Sequence, residues 1–461
     1  MTLLNRINFF LICALPIFAA LAYGTVHQPI IALFYLIVTV MVCLWAADCL
    51  KGGAVRYSGS RLQIPLLMLA VYALIQIVPF GTFTDSAGVK GIPRTISLEP
   101  FATQSTALHM LALSAFFAIA LVYLDSAKRL RRVVTVFTVF GFIYAFYAIL
   151  QSLLSPNKIY GIYGPASAVP FGSFVNRHNF AALIELLICL PLGLIFTGAV
   201  ASDKRLLYIV AIALMGSSLL LSGSRGGFVA LLAMIIILII VTSRARGRKN
   251  LVLKAAMSLL LIAAAIGGAI FVGGETSLTR FADSATSQDI TSNRTLIWGQ
   301  TLKVIAAHLP FGSGLGAYAQ AYTPFDPSSG YERVEQAHND YLQILSDAGL
   351  VGLIIGALFL FWFMREGMTN VKRRNTFRRG VAAGAFAGCS AILVHSIFDF
   401  VLHITAISTM FLMVMGMLIA SGREFEDDIT DFDEVHHRRS RSASVTAIDE
   451  QHRRRRRSSS S

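Results

Sequence analysis

Three arginines and one histidine stand where they could bind an anion and move a proton. Leu221-Ser-Gly-Ser-Arg225-Gly-Gly227 is a tight glycine-flanked turn between two apolar runs, and Arg294 opens an amphipathic stretch. His338 precedes another apolar run, and Arg177 lies in Asn176-Arg177-His178-Asn179 at the start of a fourth. A guanidinium grips phosphate bidentately and stays charged at any physiological pH, whereas imidazole can take a proton from an attacking hydroxyl. If these residues share one side of a membrane, they suit a lipid-linked pyrophosphate, with His338 as base. Each also has a plainer reading. Arg225 can snorkel to lipid phosphate, Asn176 can be an ordinary helix N-cap, and His338 can pack on a helix surface.

The elements that must position them are membrane helices. Of 461 residues 55% are hydrophobic and 14% charged, and mean hydropathy is +0.66, more apolar surface than a water-soluble fold can bury. Recurrent apolar runs without the period-2 alternation of barrel strands predict an all-α polytopic membrane protein of about 12 transmembrane helices. The spans are expected at 7–24, 27–47, 62–81, 104–124, 133–155, 178–200, 205–222, 226–242, 251–273, 343–364, 380–399 and 402–420. Even-numbered connections carry nineteen Lys and Arg in short loops, odd-numbered ones nine, which predicts cytoplasmic N- and C-termini. The first run could instead be a secretory signal, since Arg6 precedes it and small residues follow. Regular loop alternation without cleavage favours a helix.

The formal charge of +14 sits in those loops and in the tail, so it reports topology before any ligand, and no nucleic-acid partner is expected. Five cysteines within or beside apolar runs read as packing residues. Residues 421–461 turn acidic, then basic and Ser-rich, and predict a disordered cytoplasmic tail solvated or in contact with anionic lipid. Its Asp431-Phe432-Asp433 has a metal-binding spacing but no folded context. No internal repeat is evident, which weakens a transporter reading.

The long connection at 274–342 should fold and carry function. Residues 293–308 form an amphipathic helix by periodicity, 311–316 a glycine-rich turn, and helical periodicity resumes over 331–347. That places His338 on a helix, one turn from Glu335, which either orients the imidazole or is a plain surface carboxylate. Glu185 lies two turns deep in a span. His395, Asp399 and His403 cluster at the last outer turn, where buried structural pairing is the commoner fate.

These residues resemble the O-antigen ligase and Wzy-type polymerase superfamily. Its His-Asn, nine residues, Gly-x-x-Gly signature is matched by His338-Asn339 and Gly349-Leu-Val-Gly352. The Ser224-Arg225-Gly226-Gly227 turn, Asn293-Arg294 and 174–180 resemble further family features, so the likeness covers about 175–365 within a domain at 1–420. The resemblance implies a GT-C-like, metal-independent, inverting glycosyltransferase without cofactor in the bacterial inner membrane. Its donor would be an undecaprenyl-pyrophosphate-linked oligosaccharide at the periplasmic face, and its acceptor a second glycan or lipid A-core. Membrane lipids and other polysaccharide-assembly proteins would be its neighbours. His338 would be the base, Arg225 and Arg294 the pyrophosphate ligands, and Asn176, Arg177, Asn179 and Glu335 further substrate-binding candidates. A lipid-linked oligosaccharide flippase is the alternative, but basic residues avoid the centres of the spans.

Overall fold

The computed structural model describes residues 2–82, 91–165, 168–243, 294–328 and 333–424, with eight further positions between 252 and 266. Where lipid offers the backbone no partner, apolar segments close their hydrogen bonds internally as helices. α1 (Leu3–Leu21) starts where the Thr2 hydroxyl accepts the Asn5 N–H at 3.1 Å. α2 (Gln28–Gly52) and α4 (Pro100–Tyr123) begin with a proline, whose missing N–H falls in a first turn that needs none. Between them lies the shorter α3 (Gln63–Gln76). α5 (Ala127–Leu154), α6 (Arg177–Thr197), α7 (Arg205–Leu221) and α8 (Arg225–Ser243) follow. Then come α9 (Arg294–His308), the five-residue α10 (Tyr318–Tyr322), α11 (Asp340–Asn370), α12 (Thr376–His395) and α13 (Thr405–Ser421).

Among the described residues, nine helices are long and apolar enough to cross a membrane, and α3 and α13 are shorter apolar helices. Eleven of the twelve expected spans thus coincide with helices, and the architecture is all-α and polytopic. The span expected at 251–273 falls largely outside the described residues, as do most of 274–293 and the tail beyond 424.

The bundle is centred on α6, 94% of whose apolar window is buried. α12 crosses it closely because both helices are notched by glycine. A Cβ at Gly193 would fall 2.3 Å from the Gly380 carbonyl oxygen, and one at Gly384 would fall 2.4 Å from that of Cys189. Small residues let helix backbones touch in lipid, where the hydrophobic effect does not drive helices together. This crossing fixes the ends of α6 and α12, and with them Arg177, Glu185 and His395.

The long loop is tied down at α3. The buried Gln76 amide donates to the carbonyls of Phe311 (3.1 Å) and Asp347 (2.9 Å) and accepts the Leu315 N–H (2.9 Å). α9 lies where a helix is expected and buries Thr301, Val304 and Ile305, though apolar and polar residues are less cleanly separated around it than the periodicity suggests.

Within the described part of 331–347, helical structure begins later than the periodicity predicts. Residues 333–337 are irregular and α11 begins only at Asp340. The Asn339 side chain accepts the N–H groups of Tyr341 and Leu342, both at 3.0 Å, and so caps the helix at that point. His338 has φ +50°, outside helical geometry. His338 therefore sits on a sharp bend ahead of α11, and Glu335 is exposed on an irregular segment.

Candidate active site

The expected base and one expected phosphate ligand meet at a third residue. Asp399, in the turn beyond α12 and 1% exposed, takes His338 Nδ1 at 3.2 Å on Oδ1 and Arg294 Nη2 at 3.1 Å on Oδ2. The Phe400 N–H also donates to Oδ1, at 3.0 Å. Burial pushes the Asp399 carboxyl up, but the His338 hydrogen bond and the nearby His178 and Arg294 outweigh it and hold the group well below the usual carboxylate range. The carboxylate is therefore a fixed anion. A carboxylate can only accept, so this hydrogen bond favours a proton on Nδ1 and leaves Nε2 turned to other partners. The edge of that ring also packs against Phe400, centroids 5.0 Å apart.

Two short segments hold this geometry by exchanging partners. Asp340 N–H donates to the Ser396 carbonyl (2.9 Å), and the Asn339 amide donates to that of Ile397 (3.0 Å). In return, the Asp340 carboxylate accepts the Ser396 hydroxyl (2.7 Å) and the Leu402 N–H (3.2 Å), and it pairs with His403 Nδ1 (2.7 Å). The bend at His338 is thereby pinned to the turn carrying Asp399. Gly349, eleven residues beyond His338, serves the same end. α11 breaks at Gly349 (φ 57°, ψ −146°), and just after the break the Leu350 N–H donates to the Pro310 carbonyl at 2.9 Å. A side chain would be strained in that backbone conformation.

The α7–α8 turn reaches the same place from the other side. Gly226 lies against the His395 ring and Phe398, so that a Cβ there would be 2.9 Å from His395 Cδ2 and 3.2 Å from Phe398 Cβ. Arg225, the first residue of α8, therefore starts beside the turn that bears Asp399. The Gly227 N–H, a candidate phosphate donor, is taken by the Ser224 hydroxyl at 3.2 Å, and that hydroxyl also meets His178 Nδ1 at 3.0 Å. The Arg177 guanidinium lies over Gly223 in this turn. Beneath, the wholly buried Glu185 and His395 pair at 2.8 Å, joining α6 to α12.

Arg177, Arg225, Arg294 and His338 are thus brought to one end of the bundle. Asn179 is buried there, and its side-chain oxygen has no protein partner among the described residues. Asn176 accepts the His178 N–H at 2.9 Å as the α6 N-cap. Glu335 is exposed, and Asp399, not Glu335, is the carboxylate bonded to the imidazole. Arg294, which has no obvious acidic partner in the sequence, has one in Asp399, because α9 folds back over the α12–α13 turn. A lone carboxylate at the outer end of an apolar run was the available signal for Asp399.

Residues 210–357 match the family model described as O-antigen ligase (Wzy_C). No curated protein matches the chain. The matched segment spans Arg225, Arg294, His338 and the Gly349-x-x-Gly352 break, while Asp399 and the α6 residues complete the cluster from outside it. With the helical membrane architecture, this match places an O-antigen ligase domain, similar to the O-antigen ligase/Wzy superfamily, at residues 210–357 of a polytopic membrane protein.

Proposed function

We propose that this protein transfers an undecaprenyl-pyrophosphate-linked oligosaccharide to an acceptor hydroxyl at the periplasmic face of the bacterial inner membrane, as a polymerase or ligase of a surface polysaccharide. The acceptor is a second glycan or lipid A-core. The single observation that carries this reading is the His338–Asp399–Arg294 arrangement, in which one buried carboxylate aligns a base and an arginine.

In the proposed step, the acceptor oxygen attacks the anomeric carbon and its proton passes to His338 Nε2. The bond from that carbon to the pyrophosphate oxygen breaks, and the lipid pyrophosphate leaves with the electron pair. Such a base contributes ~10²- to 10⁴-fold. Asp399 keeps the imidazole in the accepting tautomer and offsets the positive charge it gains. Arg225 and the remaining donors of Arg294 neutralise charge developing on the leaving group, the work a metal or general acid does elsewhere. A single displacement inverts the anomeric centre. In this reading Arg177 and Asn179 bind the donor near the pyrophosphate, Asn176 contributes through the α6 cap, and the exposed Glu335 is a further substrate-binding residue.

The test is transfer by purified protein from synthetic lipid-linked donor with no ion gradient and with chelator present. Product with an inverted linkage is expected. Gradient-dependent movement of donor without a new glycosidic bond would make the protein a flippase.

A further inference from the structure

We propose that the cleft between the first turns of α1 and α5 binds one anionic phospholipid in the leaflet opposite the candidate active site. Arg6, Lys128 and Arg132 would hold its phosphate, and Phe9 and Phe10 would flank its acyl chain. The proposal is independent of the transfer chemistry.

The cleft has a volume of about 610 Å³, with a basic rim and an apolar wall that continues through Cys13 and Val136. The end of α1 meets the approach to α6, where the Ser173 hydroxyl donates to the Ala20 carbonyl at 2.6 Å, so the starts of α1 and α5, joined through Arg129 and Asn5, lie at the opposite end of the bundle from Arg177. Its floor is rigid. Arg129, 4% exposed, ion-pairs with Asp125 at 3.0 Å and donates to the Tyr123 carbonyl at 3.2 Å and to the Asn5 side chain. The guanidiniums of Arg129 and Arg132 lie 4.7 and 5.8 Å from the centroid of the Phe9 ring.

The nearby acid is already committed, since Asp125 pairs with Arg56 at 3.3 Å as well as with Arg129. Among the described residues no carboxylate lies within ion-pair distance of Arg6, Lys128 or Arg132. The cleft is therefore positive and calls for an anion. Phe10 is 66% exposed beside it, which joins the apolar wall to the lipid-facing surface. A soluble anion would leave that wall uncovered, whereas a phospholipid covers wall and rim together. An anionic headgroup fits better than phosphatidylethanolamine, whose ammonium would add to the local positive charge.

The test uses the full-length protein, exchanged into detergent with equimolar phosphatidylglycerol and phosphatidylethanolamine and examined by native mass spectrometry. The wild type should retain phosphatidylglycerol preferentially. Lys128→Gln with Arg132→Gln should lower that retention about 30-fold, about 2 kcal/mol for two interfacial charges, while Lys372→Gln with Arg374→Gln on the same face should leave it unchanged. Equal loss in both double variants, no preference in the wild type, or displacement by millimolar inorganic phosphate would overturn the proposal. Independently of those variants, Phe10→Trp should be quenched more by brominated phosphatidylglycerol than by brominated phosphatidylethanolamine. Equal quenching would also overturn it.

Discussion

Asp399 and His338, 61 residues apart, are joined by a 3.2 Å hydrogen bond whose carboxylate partner also holds Arg294 on its other oxygen. One side chain therefore holds both the histidine ring and the arginine. Asp399→Asn keeps the shape and removes the charge. It should slow transfer by ~10²- to 10⁴-fold, because the amide no longer fixes the tautomer in which Nε2 accepts the proton. Unchanged kcat in that variant would mean that the carboxylate serves folding alone.

The same substitution has a pH signature. A carboxyl whose folded pKa is depressed stabilises the fold above its unfolded pKa and loses that contribution as pH falls toward the folded value. Asp399→Asn should lower Tm at pH 7, and the gap from wild type should begin to narrow only below pH about 4, the ordinary Asp value. Thermal melts across pH 3–7 check this; a gap that closes already between pH 7 and 5 contradicts it.

Arg225→Lys and Arg294→Lys keep charge but lose the planar fork. Each should weaken transfer substantially, because an incompletely paired, desolvated phosphate costs ~2 to 5 kcal/mol. Arg294→Lys should also disturb His338 through Asp399, so its loss should fall on kcat as well as on donor KM. Near-full activity in both variants at normal expression would remove the pyrophosphate role.

Gly193→Ala tests the architecture. Its Cβ would meet the backbone of α12 at 2.3 Å, where no rotamer change gives relief. Separation of α6 from α12 should cost at least 1–3 kcal/mol, the range for overpacking, and pull the Glu185–His395 pair apart. A thermal melt indistinguishable from wild type would show that the two helices do not cross so closely.

Much of this was legible in the sequence because lipid enforces simple rules: apolar runs must be helices, and basic loops alternate. The Arg225 turn, the start of α9 at Arg294 and the motif at His338-Asn339 could be read locally. The pairing of His338 with Asp399 could not, since it depends on how the α12–α13 turn folds against a bend 61 residues upstream. The spacing of Glu335, His338 and Leu342 suits a helix, yet capping by Asn339 and the left-handed backbone at His338 end the pattern first. Periodicity sees side chains on one face and is blind to a cap that stops the helix.

Sidedness is tested in a cysteine-free background. Cys at Ser328 should react with an impermeant reagent from the periplasm, whereas Cys at Ser202, in the exposed α6–α7 connection, should react only after the membrane is opened. The reverse pattern would place the site on the wrong face for a periplasmic acceptor.

The central claim rests on His338, and His338→Ala tests it most directly when transfer and donor binding are measured on the same purified, folded protein. The base role predicts loss of at least ~10²-fold in turnover. Donor affinity should change little, because a neutral imidazole contributes little to holding a pyrophosphate. Normal turnover, or a defect confined to donor affinity, would contradict the account and leave the reaction without its base.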